Sequence, residues 1–217
     1  MKFRILAALV GLSSLAAVSM PAQATTIDFT GAGAVNYDDV SNTYGDSAEA
    51  NLNYRSLGGG NNWGQLATQT ADHAEYWADT NYSSDNAIFA VNNGNKLEVA
   101  LHAASGLLFT SVTFDLGSYP NVDRPIDYKL FDANWNELTS ATGFTVSGTA
   151  AGALISLAVS TTSLYFQMGD DWDVGVRSLS YQTAVATTPI PAALPLFAGA
   201  LGALGFAAQR RRKNTTT

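Results

Sequence analysis

Ser111-Val112-Thr113-Phe114-Asp115-Leu116 alternates polar and apolar residues without a break. A period of two puts Val112, Phe114 and Leu116 on one side of an extended chain and the polar residues on the other, which is the pattern of a strand with one buried and one wet face. The same period recurs in Ile126-Asp127-Tyr128-Lys129-Leu130 and in Ile155-Ser156-Leu157-Ala158-Val159-Ser160. Further strand candidates are Thr26 to Phe29, Ala50 to Arg55, Ala87 to Val91, Leu97 to His102, Phe144 to Ser147, Leu164 to Met168 and Val174 to Tyr181. In the last of these the apolar face steps from Val174 and Val176 to Leu179 and Tyr181, a slip of one that predicts a bulge. Gly58-Gly59-Gly60-Asn61-Asn62, Asn92-Asn93-Gly94-Asn95 and Asp132-Ala133-Asn134 separate these runs as turns. About eight to ten short strands at this spacing predict an all-β fold, an antiparallel β-sandwich of the jelly-roll type. Only Gln65 to Asp79 has helical potential, and it lacks an apolar stripe.

Charge narrows the function. Of eleven Lys and Arg residues, six (Lys2, Arg4, Arg210, Arg211, Arg212 and Lys213) lie near the termini, whereas all eighteen Asp and Glu lie between them. The central domain therefore holds five cations against eighteen anions, a net of −13. Such a surface repels phosphate backbones and excludes nucleic acid as a partner. There is no cysteine, so neither disulfides nor thiolate metal sites support the fold. A core of about 160 residues must do so alone, and that length is sufficient.

The two ends carry targeting patterns. Lys2 and Arg4 precede an apolar core from Ile5 to Val18 and then Ala22-Gln23-Ala24. This order predicts a secretory signal peptide over residues 1–24, cut after Ala24. Residues 25–182 form the exported β-sandwich domain, and 183–188 a linker. Thr188-Pro189-Ile190-Pro191-Ala192 then leads into an apolar stretch from Leu194 to Ala208, the cluster Arg210-Arg211-Arg212-Lys213 and a polar tail, 214–217. An apolar segment just long enough to cross a bilayer, closed by basic residues, predicts a transmembrane stop with its charged end held in the cytoplasm. Pro191 and Pro195 interrupt the start of that helix, which a plain anchor would have no reason to weaken.

The tail resembles the PEP-CTERM protein-sorting signal of Gram-negative bacteria in its VPLPA-CTERM variant. Pro189, Pro191 and Ala192 match the motif, while Thr188 stands for Val and Ile190 for Leu. The resemblance implies a sorting signal over 189–213 and a membrane-embedded exosortase as processing partner. It also implies a precursor held in the inner membrane and a product at the cell surface or beyond. Phe109 to Gly117, Tyr128 to Leu138, Leu164 to Gly169 and Val174 to Tyr181 are similar to the final strands of the jelly-roll ectodomains common in that family, which are galactose-binding-like in layout. Many of those domains end in a Gly-Ile-Asp-Asn-Ile type strand, whereas Arg177 and Ser178 occupy the Asp-Asn positions here.

Catalytic patterns are missing from the sequence. His73 and His102 form no zinc-holding pair, and the register of His102 with Glu98 predicts a surface histidine. There is no Gly-x-Ser-x-Gly elbow and no phosphate-cradling Gly-rich loop ending in Lys. Eighteen acids make many accidental pairs, so no particular pair marks a glycosidase. Two constellations remain. Asp171 and Asp173, in Gly169-Asp170-Asp171-Trp172-Asp173, are spaced to hold a structural calcium ion, with Asp46 or Glu49 as further ligands; the alternative is a solvated acidic turn. Trp63, Tyr76, Trp77 and Tyr82 stand among Gly, Asn, Asp and Ser, as rings that stack on sugars do; the alternative is that they plug the ends of the core.

Together these readings predict an exported, tail-sorted surface protein that is not an enzyme. Its role is binding or structural, in the envelope or in extracellular polysaccharide and biofilm. A carbohydrate-active enzyme with an unrecognised carboxylate pair and a purely structural coat protein are the alternatives.

Overall fold

The computed structural model describes residues 23–29, 35–58, 62–66, 69–90, 95–169, 173–186 and, near the C-terminus, 197, 199–202 and 204. Residues 1–22, the sorting motif Pro189, Pro191 and Ala192, and the basic cluster Arg210 to Lys213 lie outside them. The described C-terminal positions are helical, with Phe197, Leu201 and Leu204 exposed. Among the described residues no helix is long and apolar enough to cross a membrane.

Eleven strands are described: β1 Gln23–Asp28, β2 Ala50–Leu57, β3 Gln69–Tyr82, β4 Asp85–Ala90, β5 Lys96–Ala103, β6 Leu107–Ser118, β7 Arg124–Asp132, β8 Glu137–Val146, β9 Ala153–Thr161, β10 Ser163–Met168 and β11 Val174–Val185. Every pairing between them is antiparallel. The pairing path runs β8-β7-β10-β5-β2-β3-β4-β11-β6-β9, with β1 beside β11. β3 joins two sheets: Arg55 of β2 lies opposite its His73, while Ala90 to Ala87 of β4 lie opposite its Ala74 to Trp77. One strand thus closes one side of a β-sandwich, whose other side ends in β8 and β9.

The core is where the period-two residues of both sheets meet. Tyr54, Val99, Phe166 and Leu130 stand in register across β2, β5, β10 and β7, and all are fully buried. Val112, Phe114 and Leu116 of β6, with Leu179 and Tyr181 of β11, belong to the same buried cluster. Phe114 stacks on Phe166 with ring centroids 4.1 Å apart. Burial of large rings in close offset contact is the main source of stability open to a chain without cross-links.

The expected bulge in the last strand is present, as a register shift between Val176 and Ser178. It accompanies a clasp made by Arg177. Nη1 of this buried side chain donates to the carbonyl oxygens of Ala150, at 3.0 Å, and Ser83, at 3.2 Å, while Nη2 donates to Asp115 Oδ1 at 2.6 Å. Gly152 lies so close that a Cβ there would stand 2.5 Å from Nη2, and its φ of +52° favours glycine for a second reason. Arg177 therefore pins the loops around Ser83 and Ala150 together.

Three expectations need correction. Gln65 to Asp79 is not helical: a 3-10 turn, Gly64–Leu66, precedes the long strand β3. Ala74 and Tyr76 face the core from β3 while His73 does not, so alternation and pairing on both flanks override helix propensity. β8 is a ten-residue strand, longer than the Phe144 to Ser147 expectation. β11 runs through Thr183 to Val185, so the first half of the supposed linker is paired strand.

Phe114→Ala should lower stability by about 3–5 kcal/mol, the usual loss for removing a fully buried ring. Asp115→Asn, which weakens the Arg177 clasp without opening the core, should cost about 1–3 kcal/mol. Denaturant midpoints of the two variants check the order, and the reverse order would show that the clasp outweighs the stack.

Candidate functional site

The outward face of the sheet formed by β2, β5, β10, β7 and β8 gathers three of the domain's five cations. Arg55, Glu98, Gln167, Lys129 and Ser140 stand in one row across the five strands, on the side opposite the core row. The middle of this row is covered: Glu98 is only 1% exposed and Gln167 is fully buried. The cover is the segment 62–66. Gly64 N–H donates to Gln167 Oε1 at 2.8 Å, and Gln167 Nε2 donates to Glu98 Oε2 at 2.7 Å and to the Gly64 carbonyl at 3.3 Å. Arg55 Nη2 closes on the other oxygen of Glu98. A buried carboxylate with a cation on one oxygen and an amide on the other is satisfied, and it holds the strap on the sheet.

Trp63 leads into that strap. Lys96 Nζ lies 4.9 Å and Lys129 Nζ 6.0 Å from the centre of its ring. Lys129 also donates to Glu137 Oε2 at 2.8 Å, and Ser140 Oγ donates to Glu137 Oε1 at 2.6 Å. These two bonds, Lys129 first, hold the Glu137 carboxyl below its ordinary range.

Next to the covered row the face is more open. Asn53, Ala100, Tyr165 and Phe131 are in register, followed by Asn51, His102 and Ser163. The turn between β7 and β8 brings Trp135 to them. Asp132 Oδ1 accepts from the N–H groups of Asn134 and Asn136, at 2.8 and 2.9 Å, and Oδ2 accepts from Asn136 Nδ2 at 3.0 Å. Within this turn Trp135 takes a φ of 63°, unusual for a bulky residue and maintained by the bonds around it. Its ring lies nearly parallel to that of Tyr165, 4.0 Å away, and His102 meets the Tyr165 ring edge-on at 5.6 Å. Trp63, Trp135, Tyr165 and His102 are all partly exposed. The result is a rigid aromatic patch bordered by Asn51, Asn53 and Arg55. His102 Nδ1 lies 3.1 Å from Ser163 Oγ. Burial first, then the Arg55 cation, hold the imidazole below its ordinary pKa of 6.5 against the opposing pull of Glu98.

Of the four rings expected to form a platform, only Trp63 belongs to this face. Tyr76 and Trp77 are neighbours on β3 and so point to opposite sides: Tyr76 enters the main core, whereas Trp77 joins Tyr82, Ala87 and Phe89 in a second buried cluster beside Tyr119. Tyr37 and Tyr119 pack edge-on against Trp77, at 5.1 and 5.2 Å. Three of the four thus act as plugs, and the platform is not assembled from them. Alternation explains the error, because a Tyr-Trp pair inside a strand cannot present both rings to one ligand.

Asp173 is paired with Arg124, at 3.0 Å, while Asp171 lies outside the described residues. Asp46 Oδ1 accepts the Leu52 N–H at 2.7 Å. Among the described residues no three His, Asp or Glu side chains gather as a metal site. The face expected to be wet at Glu98 is roofed instead, because Gly64 bonds to Gln167 over it. Tyr165 was missed, although its place between the core residues Leu164 and Phe166 marks it as an outward ring. Ala24 lies in β1, opposite Gln182.

No family model and no curated protein matches this chain. A family 29 carbohydrate binding module from Piromyces equi aligns at TM-score 0.35 and 5% identity, over 75% of this chain and 91% of that one. An exo-β-1,3-galactanase from Phanerochaete chrysosporium, with β-1,3-galactotriose, aligns at TM-score 0.34 and 9% identity, over 64% of this chain and 30% of the enzyme. An isomalto-dextranase from Arthrobacter globiformis T6, with panose, aligns at TM-score 0.33 and 11% identity, over 74% of this chain. This chain spans about a third of the length of each of the two enzymes.

The lowered pKa of His102 links stability to pH. A folded-state value below the unfolded one means that the unfolded chain takes up the proton first, so stability is complete above about pH 6.5 and falls as the pH drops below it. His102→Gln should flatten this part of the profile between about pH 7 and 5. Denaturation midpoints across that range check it; an unchanged slope would place the titrating group elsewhere.

Proposed function

We propose that the chain is an exported, tail-sorted surface protein whose jelly-roll sandwich binds an uncharged polysaccharide on the Trp135 and Tyr165 face without turning it over. The observation that carries the binding is Trp135, whose backbone takes a positive φ in the Asp132 turn and whose ring lies nearly parallel to that of Tyr165. A pyranose offers an apolar C–H face to such rings and hydroxyls to flanking amides, and Asn51, Asn53 and His102 stand within the neighbouring rows. Rings fixed before binding lose little entropy when the ligand arrives.

An uncharged ligand fits better than an acidic one. The cations on this face are already engaged, Arg55 with Glu98 and Lys129 with Glu137, and the domain carries a net −13. Binding also fits better than hydrolysis. A glycosidase needs one carboxylic acid that keeps its proton near neutrality, whereas Glu137 is held ionised by Lys129 and Glu98 is closed off by Arg55 and Gln167. The jelly-roll reading is supported by the strand order: β4-β11-β6-β9 and β5-β10-β7-β8 pair the first strand of each set with a late one, as two Greek keys do. Export and sorting are supported by the signal-peptide pattern and the Pro189, Pro191, Ala192 motif with its basic end.

A glycan array should first identify a saturating neutral polysaccharide for the purified protein. Trp135→Ala and Tyr165→Ala should then each weaken binding by about 1–2 kcal/mol, roughly five- to thirtyfold. Trp77→Ala should lower the melting temperature and leave affinity unchanged. Equal affinity in all three variants removes the ligand from this face, and release of reducing sugar would favour the enzyme reading. For the tail, replacing Pro189, Pro191 and Ala192 together should leave export intact but strand a larger precursor in the inner membrane. A product of normal size and place would argue against sorting.

A further inference from the structure

The two long sides of the sandwich are not alike. β3 passes from one sheet to the other and pairs along both flanks, so its side is closed. On the other side β8 and β9 end the pairing path, and among the described residues no strand pairs with their outer edges. An open edge presents unpaired N–H and C=O groups, and proteins normally guard it with charge, proline, bulges or a covering segment.

β8 has such protection. Two register shifts interrupt its pairing with β7, Gly143 takes a φ of +65° within it, and its first residue, Glu137, is charged. β9 has none. Its sequence Ala-Leu-Ile-Ser-Leu-Ala-Val-Ser-Thr contains no proline, glycine or charge, and it pairs with β6 without a shift from Ser111 opposite Ala158 to Leu116 opposite Ala153. No charged residue lies anywhere between Glu137 and Asp170.

A second observation lies beside this edge. Leu157 and Val159 pack against the core from β9, as do Ala141 and Phe144 from β8, yet all four are only partly buried. On the opposite face of the same strand Leu154 is 63% exposed. The core therefore stops short where hydrogen-bonding edge and apolar side chains come together.

We propose that β9 pairs with β9 of a second copy of this chain, two strands related by a two-fold axis joining antiparallel so that one sheet continues through both molecules. Charge limits where a second copy can dock. Two domains of net −13 repel each other, and the long uncharged stretch containing β9 is where they can approach without setting carboxylate against carboxylate. Self-pairing about a two-fold axis needs a segment complementary to itself, which an uncharged strand rich in apolar and small residues provides. The added strand would satisfy the open edge and cover Leu157 and Val159 in one step.

The absence of cysteine makes the test direct. Leu154→Cys, Ser156→Cys, Ala158→Cys and Ser160→Cys are introduced singly in the full chain, purified and mildly oxidised. A disulfide requires Cβ atoms within about 4.5 Å, so dimer should peak at the position nearest the two-fold axis and fall away on either side of it. Ser140→Cys on β8 and Ser180→Cys on β11 should stay monomeric. Adding Ala158→Lys, or Ser156→Lys where Ala158 is the reporter, places like charges across the axis. It should cut the dimer yield by at least about tenfold while the melting temperature is unchanged. Dimer at no β9 position above the Ser140→Cys level overturns the proposal, as does a yield indifferent to the added lysine. Glycan binding has no part in this readout, so the two readings stand or fall separately.

Discussion

The stack of Phe114 on Phe166 marks the plane on which this molecule depends, because it is there that two sheets without disulfide or described metal site must hold together. The opposing force is electrostatic. A domain of net −13 pushes its own surface apart, and only five cations are present to resist. None of the five is left to bulk solvent alone. Arg177 clasps Asp115 and two loops, Arg124 meets Asp173, Arg55 meets Glu98, Lys129 meets Glu137, and Lys96 is buried near Trp63. Cations are placed where loops or straps must be fastened, and several other carboxylates, Asp46, Asp123, Asp127 and Asp132 among them, accept backbone N–H groups instead.

This arrangement also prepares the candidate face. Glu98 is buried beneath a segment that returns across the sheet, and its bonds to Arg55 and Gln167 hold that segment in place. Part of the sheet is thereby roofed and part left open, and the boundary between them is lined by Trp63 and Trp135. A fixed ring beside short amide side chains is the arrangement on which the proposed polysaccharide binding rests.

Much of the fold was legible because alternation is a local property. Val112, Phe114 and Leu116 announce an inward face without reference to any other strand, and the slip at Val176 to Leu179 announces a bulge in the same way. What was not legible depended on partners distant in sequence. β3 was mistaken because its pairing with β2 and β4 outweighs its composition, and β8 was shortened because an edge strand need not alternate cleanly. The candidate site was legible only in part. Trp63 is partly exposed on this face, but Tyr76 and Trp77 were grouped by proximity in sequence when their strand sends them to opposite sides. Glu98 looked solvent-facing by register, and nothing in its own segment reveals the strap contributed by residues 62–66.

The place of β1 bears on timing. Its partner is β11, so Thr25 to Asp28 pair with residues 178–181, the last strand of the domain to be made. The first strand of the sheet therefore cannot be secured along β11 until almost the whole domain has been made, and the two ends of the domain are fastened to each other in a single late step.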